Sequence, residues 1–136
     1  MEKYIFEQKF KVRDYECDIQ GVLNNAVYQN YLEHTRHEFL ASKNISFADL
    51  HLKGIDPMVA RISIDYKTPL RPGDCCICRL YVQKEGIKYV FFQDIYRLGD
   101  EKIAIKARVD AVVVVNGKLG FCDELDELVN DTKIVK

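Results

Sequence analysis

No apolar run in this 136-residue chain approaches the roughly 20 residues that a membrane-spanning helix needs. Its opening, Met1-Glu2-Lys3-Tyr4, lacks the charged-then-apolar pattern of a secretory signal. Neither sign of charge is in excess: 20 Lys and Arg stand against 21 Asp and Glu, for a net charge of −1. That balance removes the basic field on which non-specific nucleic-acid binding depends. Repeats, low-complexity stretches and linkers are absent. Cysteines are five, and Cys75, Cys76 and Cys78 crowd into one expected strand. On a strand Cys76 and Cys78 face one side and Cys75 the other, so the three thiols do not converge on zinc. They read as small buried hydrophobes in a reducing compartment. These absences lead to the expectation of a cytoplasmic protein with no membrane, nucleic-acid or metal partner.

What is present is one domain, residues 1–136, long enough to bury roughly 65–70% of its unfolded surface. Tyr4 to Arg13 alternates apolar and polar and predicts a strand. From Ala26 to about Lys43, Tyr28, Tyr31, Leu32, Thr35, Phe39 and Leu40 recur at spacings of three and four, predicting a helix with one packed stripe. Asn24 is its expected N-cap. A short helical turn over Phe47 to Leu52 interrupts an otherwise irregular stretch. Strands are then expected at Met58 to Thr68, Cys75 to Lys84, Ile87 to Arg97 and Lys102 to Val115, with a short acidic helix at Asp123 to Asn130. Tight turns such as Glu85-Gly86 join them into an antiparallel meander. The economical α+β arrangement is a curved antiparallel sheet wrapped around the long helix. The edge of Lys102 to Val115 is expected to favour pairing with a second copy.

Asp18 carries the chemical interest. It lies in a loop seven residues ahead of Asn25, in the first turn of the long helix. A helix N-terminus offers free N–H groups and a positive dipole end. A carboxylate beside it suits attack on a carbonyl whose oxygen becomes negative, or activation of water against it. The structural alternative is that Asp18 only makes an Asx-turn.

The segment Asp18-x-x-Gly21-Val22-Leu23-Asn24-Asn25-Ala26-Val27-Tyr28, with Tyr15 before it and Glu33 and Arg36 further along, resembles the signature of the hotdog-fold acyl-CoA thioesterases. The nearest group is the 4-hydroxybenzoyl-CoA thioesterase-like family. Asp65-Tyr66-Lys67-Thr68-Pro69-Leu70-Arg71-Pro72-Gly73-Asp74 resembles the strand-turn element of the same family, so the likeness covers nearly the whole chain. It implies a hotdog fold, a homodimer or homotetramer, and hydrolysis of an acyl thioester, a fatty acyl-CoA first and an acyl-carrier-protein (ACP) thioester as the alternative. Coenzyme A enters only as part of the substrate, and no cofactor is implied. The resemblance makes Asp18 the catalytic carboxylate and the Asn25 backbone N–H the oxyanion donor, with Gly21, Val22 and Tyr28 beside the substrate. Glu16 and Cys17 depart from the family's Asp-Thr. Asn24-Asn25 replaces the Tyr-His of many members and is more similar to branches related to ACP thioesterases.

Other candidates read as structural. His34 and His37 share a helix flank without a third ligand at motif spacing. Cys17 beside a carboxylate is a poor nucleophile, and no spacing rule pairs it with His51. Glu33 and Arg36 read as an ion pair, on the helix surface or buried. Lys84 and Lys88 flank a hairpin, and Lys88 is a candidate contact for the phosphates of coenzyme A. A non-catalytic acyl-CoA-binding module is a further alternative. A dehydratase is disfavoured because position 23 is leucine rather than histidine.

Overall fold

A computed structural model describes residues 3–135, so the Met1-Glu2 start and Lys136 lie outside it. In chain order the elements are β1 (Phe6–Lys11), α1 (Asn25–Ser42), α2 (Phe47–Leu52), β2 (Ile55–Tyr66), β3 (Cys75–Glu85), β4 (Lys88–Arg97), β5 (Ile103–Val115), β6 (Lys118–Gly120) and α3 (Asp123–Val135). A single 3-10 turn, Asp14–Glu16, precedes α1. The strands form one antiparallel sheet in the order β1-β3-β4-β5-β2, with β6 pairing to β5.

Both ends of α1 are closed by local chemistry. Asn24 is extended, and its side-chain oxygen accepts the Ala26 N–H at 2.9 Å, satisfying one of the orphan donors of the first turn. At the other end Asn44 adopts a left-handed φ of 61°. The N–H groups of Asn44 and Ile45 return to the carbonyls of Ala41 and Leu40, which is the Schellman arrangement. The predicted stripe is the buried one: Tyr28, Tyr31, Leu32, Thr35, Phe39 and Leu40 are all buried, joined by Arg36. Around one half of the helix Tyr28, Tyr31 and Leu32 pack with Leu23, Leu70, Ile95 and Ile105. Around the other, Phe39 and Leu40 pack with Leu80, Phe91, Val109 and Leu125.

Three expectations need correcting. β2 starts at Ile55, ahead of Pro57, because it is an edge strand; Pro57 stands opposite Val113 and its missing N–H costs no ladder bond on the outer side. Among the described residues the open edges belong to β1 and β2 and not to β5, which is held between β4 and β2. The meander is only β3-β4-β5, with β1 and β2 added at its two flanks. β6, three residues after the turn at Asn116-Gly117, was not foreseen.

β2 also contains a bulge. Val59 stands opposite Ala111 and Arg61 opposite Asp110, leaving Ala60 as the extra residue. Val59, Ile62 and Ile64 therefore face α1, while Arg61 and Ser63 turn to the outer face with Arg108 and Asp110. As read from the sequence, Cys76 and Cys78 are buried and Cys75 is exposed; all five thiols are free.

Candidate active site

The loop before α1 is a small hairpin. Cys17 bridges Leu23, the Asp18 N–H donates to the Val22 carbonyl at 2.9 Å, and the Gly21 N–H returns to the Asp18 carbonyl at 2.9 Å. Gly21 takes a left-handed φ of 74°, with nothing within 4 Å of where a Cβ would stand, so glycine serves the turn and not a close approach. The Asp18 carboxylate accepts the Gln20 N–H on Oδ1 at 2.9 Å and the Val22 N–H on the same oxygen at 3.5 Å. The Asx-turn is therefore present. Among the described residues Oδ2 has no hydrogen-bond partner, which leaves one oxygen for chemistry.

Glu16 fastens this hairpin to the helix. Its Oε1 accepts the Tyr31 hydroxyl at 2.7 Å and the Arg13 N–H at 2.9 Å, and its carbonyl accepts the Asn24 N–H at 3.0 Å. Leu23 donates its N–H to the Leu70 carbonyl at 2.7 Å, joining the hairpin to the Tyr66-to-Asp74 turn. The two sequence motifs, about 40 residues apart in the chain, are thus one structural unit.

Where they meet lies a cavity of about 210 Å3, lined by Val22, Leu23, Asn25, Tyr28, Tyr66, Lys67, Thr68, Pro69 and Ala104. The Ala26 N–H is taken by the cap and the Val27 N–H by the Asn24 carbonyl, but the Asn25 N–H has no acceptor among the described residues. It is a free donor at the positive end of an 18-residue helix, on the wall of a largely apolar cavity. Tyr66 closes that side: its ring meets Tyr28 edge-on at 5.6 Å, and its hydroxyl lies 3.5 Å from the Asn25 carbonyl. Burial pushes the Tyr28 hydroxyl up to about 12, against the pull of a backbone hydrogen bond at Leu70, so it stays neutral. Asp18 and Gly21 sit in the adjoining hairpin and not in the cavity wall.

Residues 12–129 match the protein family described as the Thioesterase-like superfamily. The chain belongs to that superfamily. Two curated relatives from Arabidopsis thaliana are named acyl-acyl carrier protein thioesterases, chloroplastic. One is 38% identical over 115 residues, covering 81% of this chain and 59% of the relative. The other is 34% identical over 111 residues, covering 81% and 58%. The chain thus spans less than two thirds of the length of these relatives. Among solved structures, a 1,4-dihydroxy-2-naphthoyl-CoA thioesterase from Synechocystis superposes with a TM-score of 0.86 at 16% identity, covering 93% of this chain and 96% of that one. A hypothetical protein from Aquifex aeolicus gives 0.84 at 25% identity, covering 92% and 99%. These likenesses establish the hotdog fold.

Not every candidate converges in this member of the superfamily. Lys88 lies on the outer face of the sheet, 3.5 Å from Asp110, in a separate cavity of about 270 Å3 with Arg61, Ser63 and Arg108. Lys84 is paired with Asp126. Glu33 and Arg36 do not form the expected ion pair: Glu33 is exposed and sits 3.8 Å from His37, whereas Arg36 turns inward and donates to the Gln93 side chain at 3.0 Å. His51 is engaged with Asp56, and the Cys17 thiol is pushed up by burial and by the carboxylates of Asp18, Glu16, Asp14 and Asp74. Among the described residues no three His, Cys, Asp or Glu side chains converge on a metal position. Sequence reasoning missed Tyr66, Lys67 and Thr68 as cavity residues. Their signal was the strand-turn motif itself, read only as an element of fold.

Proposed function

We propose that this member of the thioesterase-like superfamily hydrolyses an acyl thioester to a free acid and a thiol. The observation that carries the reading is the free Asn25 N–H in a cavity wall, one residue beyond the cap that anchors the Asp18 hairpin. A thioester carbonyl in this cavity would direct its oxygen to that N–H, and the helix dipole would stabilise the charge that develops there. Asp18 then either attacks the carbonyl carbon, giving a mixed anhydride and expelling the thiolate, or takes a proton from water that attacks instead. Neither route needs a metal or redox cofactor, because the thiolate is a good leaving group. Val22 and Tyr28 would flank the acyl group, and Gly21 would hold the turn that presents Asp18.

Fatty acyl-CoA is the first substrate to try. Lys88 lies on the outer face of the sheet, in a cavity separate from the one that Asn25 lines, so the phosphates of coenzyme A are not assigned to it. The names of the Arabidopsis relatives favour ACP as the carrier, and the Asn24-Asn25 pair agrees with them. A second copy would complete the molecule as a homodimer or homotetramer: β2 is 12 residues long with an unpaired outer edge among the described residues, and Met58, Val59 and Tyr66 on it are about half exposed. Five free thiols support a reducing, cytoplasm-like compartment.

The test is thiol release from acetyl-, octanoyl-, palmitoyl- and benzoyl-CoA and from the same chains on ACP, in wild type and Asp18→Asn. Turnover that collapses in a folded Asp18→Asn protein supports the mechanism. Turnover that survives refutes it, and binding without turnover on either carrier converts the protein into a binding module.

A further inference from the structure

A second cavity, of about 350 Å3, lies at the other end of the gap between α1 and β2. Its wall is mostly apolar, including Leu40, Phe47, Val59 and Phe91, with Glu33, Arg36 and His37 as the polar members. Arg36 is only 8% exposed, yet among the described residues it has no carboxylate within ion-pair distance. One N–H group goes to Gln93 Oε1 at 3.0 Å. Gln93 is itself fully buried and held from behind, its amide donating to the Leu32 carbonyl at 3.0 Å. Among the described residues no side-chain nitrogen is both sealed from solvent and unpaired, so the unpaired N–H groups of Arg36 keep some solvent contact, and the residue lines this cavity. A guanidinium keeps its charge in proteins. Taking it out of water without an anion is costly, and a hydrogen-bonded carboxylate is the partner that offsets the cost. Glu33 does not fill that role: its side chain is 58% exposed and directed to His37 at the mouth.

Arg36 also stands in a defined relation to the proposed oxyanion donor. It follows Asn25 by eleven residues, about three helical turns, so the two share a helix face at a separation of about 16 Å along the axis. Both cavities flank the same strand, Tyr66 at one end and Val59 at the other, with half-buried Ile62 and Ile64 between them. Resting on the thioesterase reading, we propose that Arg36 is a specificity-determining residue that binds a carboxylate at the far end of the acyl chain, so that the preferred substrates are half-thioesters of long α,ω-dicarboxylic acids. The thioester carbonyl would sit at Asn25, the chain would lie along the face of α1, and the distal carboxylate would supply the missing anion.

The experiment compares succinyl, suberoyl and dodecanedioyl half-thioesters with butyryl, octanoyl and lauroyl thioesters, on whichever carrier is turned over. Each is assayed with wild type, Arg36→Lys and Arg36→Met, and binding of free dodecanedioate and laurate to wild type is measured by calorimetry. The expected result is that kcat/KM favours the dodecanedioyl ester over the lauroyl ester by about tenfold or more, equivalent to about 1.4 kcal/mol. That preference disappears in Arg36→Met and is partly kept in Arg36→Lys, while the short diacid gains nothing. Calorimetry on wild type needs no variant to fold and should show dodecanedioate binding more tightly than laurate. Equal or better use of the plain chains, or a preference that survives Arg36→Met, overturns the proposal. So does an Arg36→Met protein whose only change is weaker self-association, because a carboxylate of a second copy would then be the partner. If no thioester is hydrolysed but dodecanedioate still binds and Arg36→Met abolishes the binding, the site stands and the hydrolase reading falls.

Discussion

Replacing Gly21 with alanine isolates one contribution to the architecture of the site. Gly21 has a φ of 74°, and a Cβ added there would have no atom within 4 Å, so no steric clash enters. The cost is the left-handed backbone alone, about 1–2 kcal/mol for a residue with a Cβ. Alanine also narrows the unfolded ensemble, which returns about 0.4–1 kcal/mol. The net loss is about 1 kcal/mol, a fall in Tm of about 3–5 °C for a chain of this size. Gly21→Asn should lose less, since asparagine tolerates this region. Urea unfolding followed by circular dichroism measures all three proteins. Turnover should fall further in Gly21→Ala than the stability loss implies, because relaxing φ to a negative value moves the Gln20 N–H that holds the Asp18 carboxylate. Gly54 is the contrasting case: a Cβ there would meet the Asn116 side-chain oxygen, so Gly54→Ala also has to displace that side chain. A Gly21→Ala protein as stable as wild type, or one that loses more than about 3 kcal/mol, would refute the conformational account.

Further expectations concern the cap, the clamp, the thiols and acid. Asn24→Ala should cost about 1 kcal/mol by freeing the Ala26 N–H, and Asn24→Asp should restore most of it in the same urea titration. Tyr31→Phe removes the hydroxyl held by Glu16 at 2.7 Å; it should cost about 1 kcal/mol and speed hydrogen exchange in the Asp14-to-Gly21 segment. In the native protein a thiol reagent should modify Cys75 first. Cys76 and Cys78, whose thiols burial pushes up to about 12 and about 11, should react only on unfolding, as mass spectrometry after timed labelling would report. Hydrogen bonds from Arg97 lower the Asp100 carboxyl to about 2. A carboxyl depressed on folding stabilises above its unfolded value and loses that stability as pH falls toward 2. Asp100→Asn should therefore flatten part of the decline in Tm between about pH 4 and pH 2.

The parts of this protein that were legible in its sequence are those governed by local period and local chemistry. The buried stripe of α1, its Asn24 cap and the opposed faces of Cys75 and Cys76 follow from 3.6-residue and 2-residue periodicities. The Asp18 and Asn25 positions were reached through motif and helix-end chemistry, and the hairpin and the free N–H gave them geometry. What stayed hidden depends on contacts between distant segments. Nothing near Arg36 announces that its partner is Gln93, 57 residues away, so the i,i+3 rule offered Glu33 instead. The order of strands across the sheet is equally non-local, which is why β5 looked like an edge and β2 did not. The short β6 has too few residues for any period to register.

The bulge in β2 sets a phase relation between the two ends of the helix groove. With Ala60 as the extra residue, Val59 and Tyr66 both point inward although seven positions separate them, an odd number that a regular strand would place on opposite faces. Deleting Ala60 would leave six positions between them, an even number, so a regular strand would keep Val59 and Tyr66 on one face and in their present register with Ala111 and Ile105. Substitutions at this position change only a side chain, whereas one residue inserted beside it would turn one half of the strand outward and uncouple the two cavities. Loss of Ala60 should accordingly be better tolerated than a one-residue insertion, and an insertion and deletion scan along β2 would map where that phase is kept.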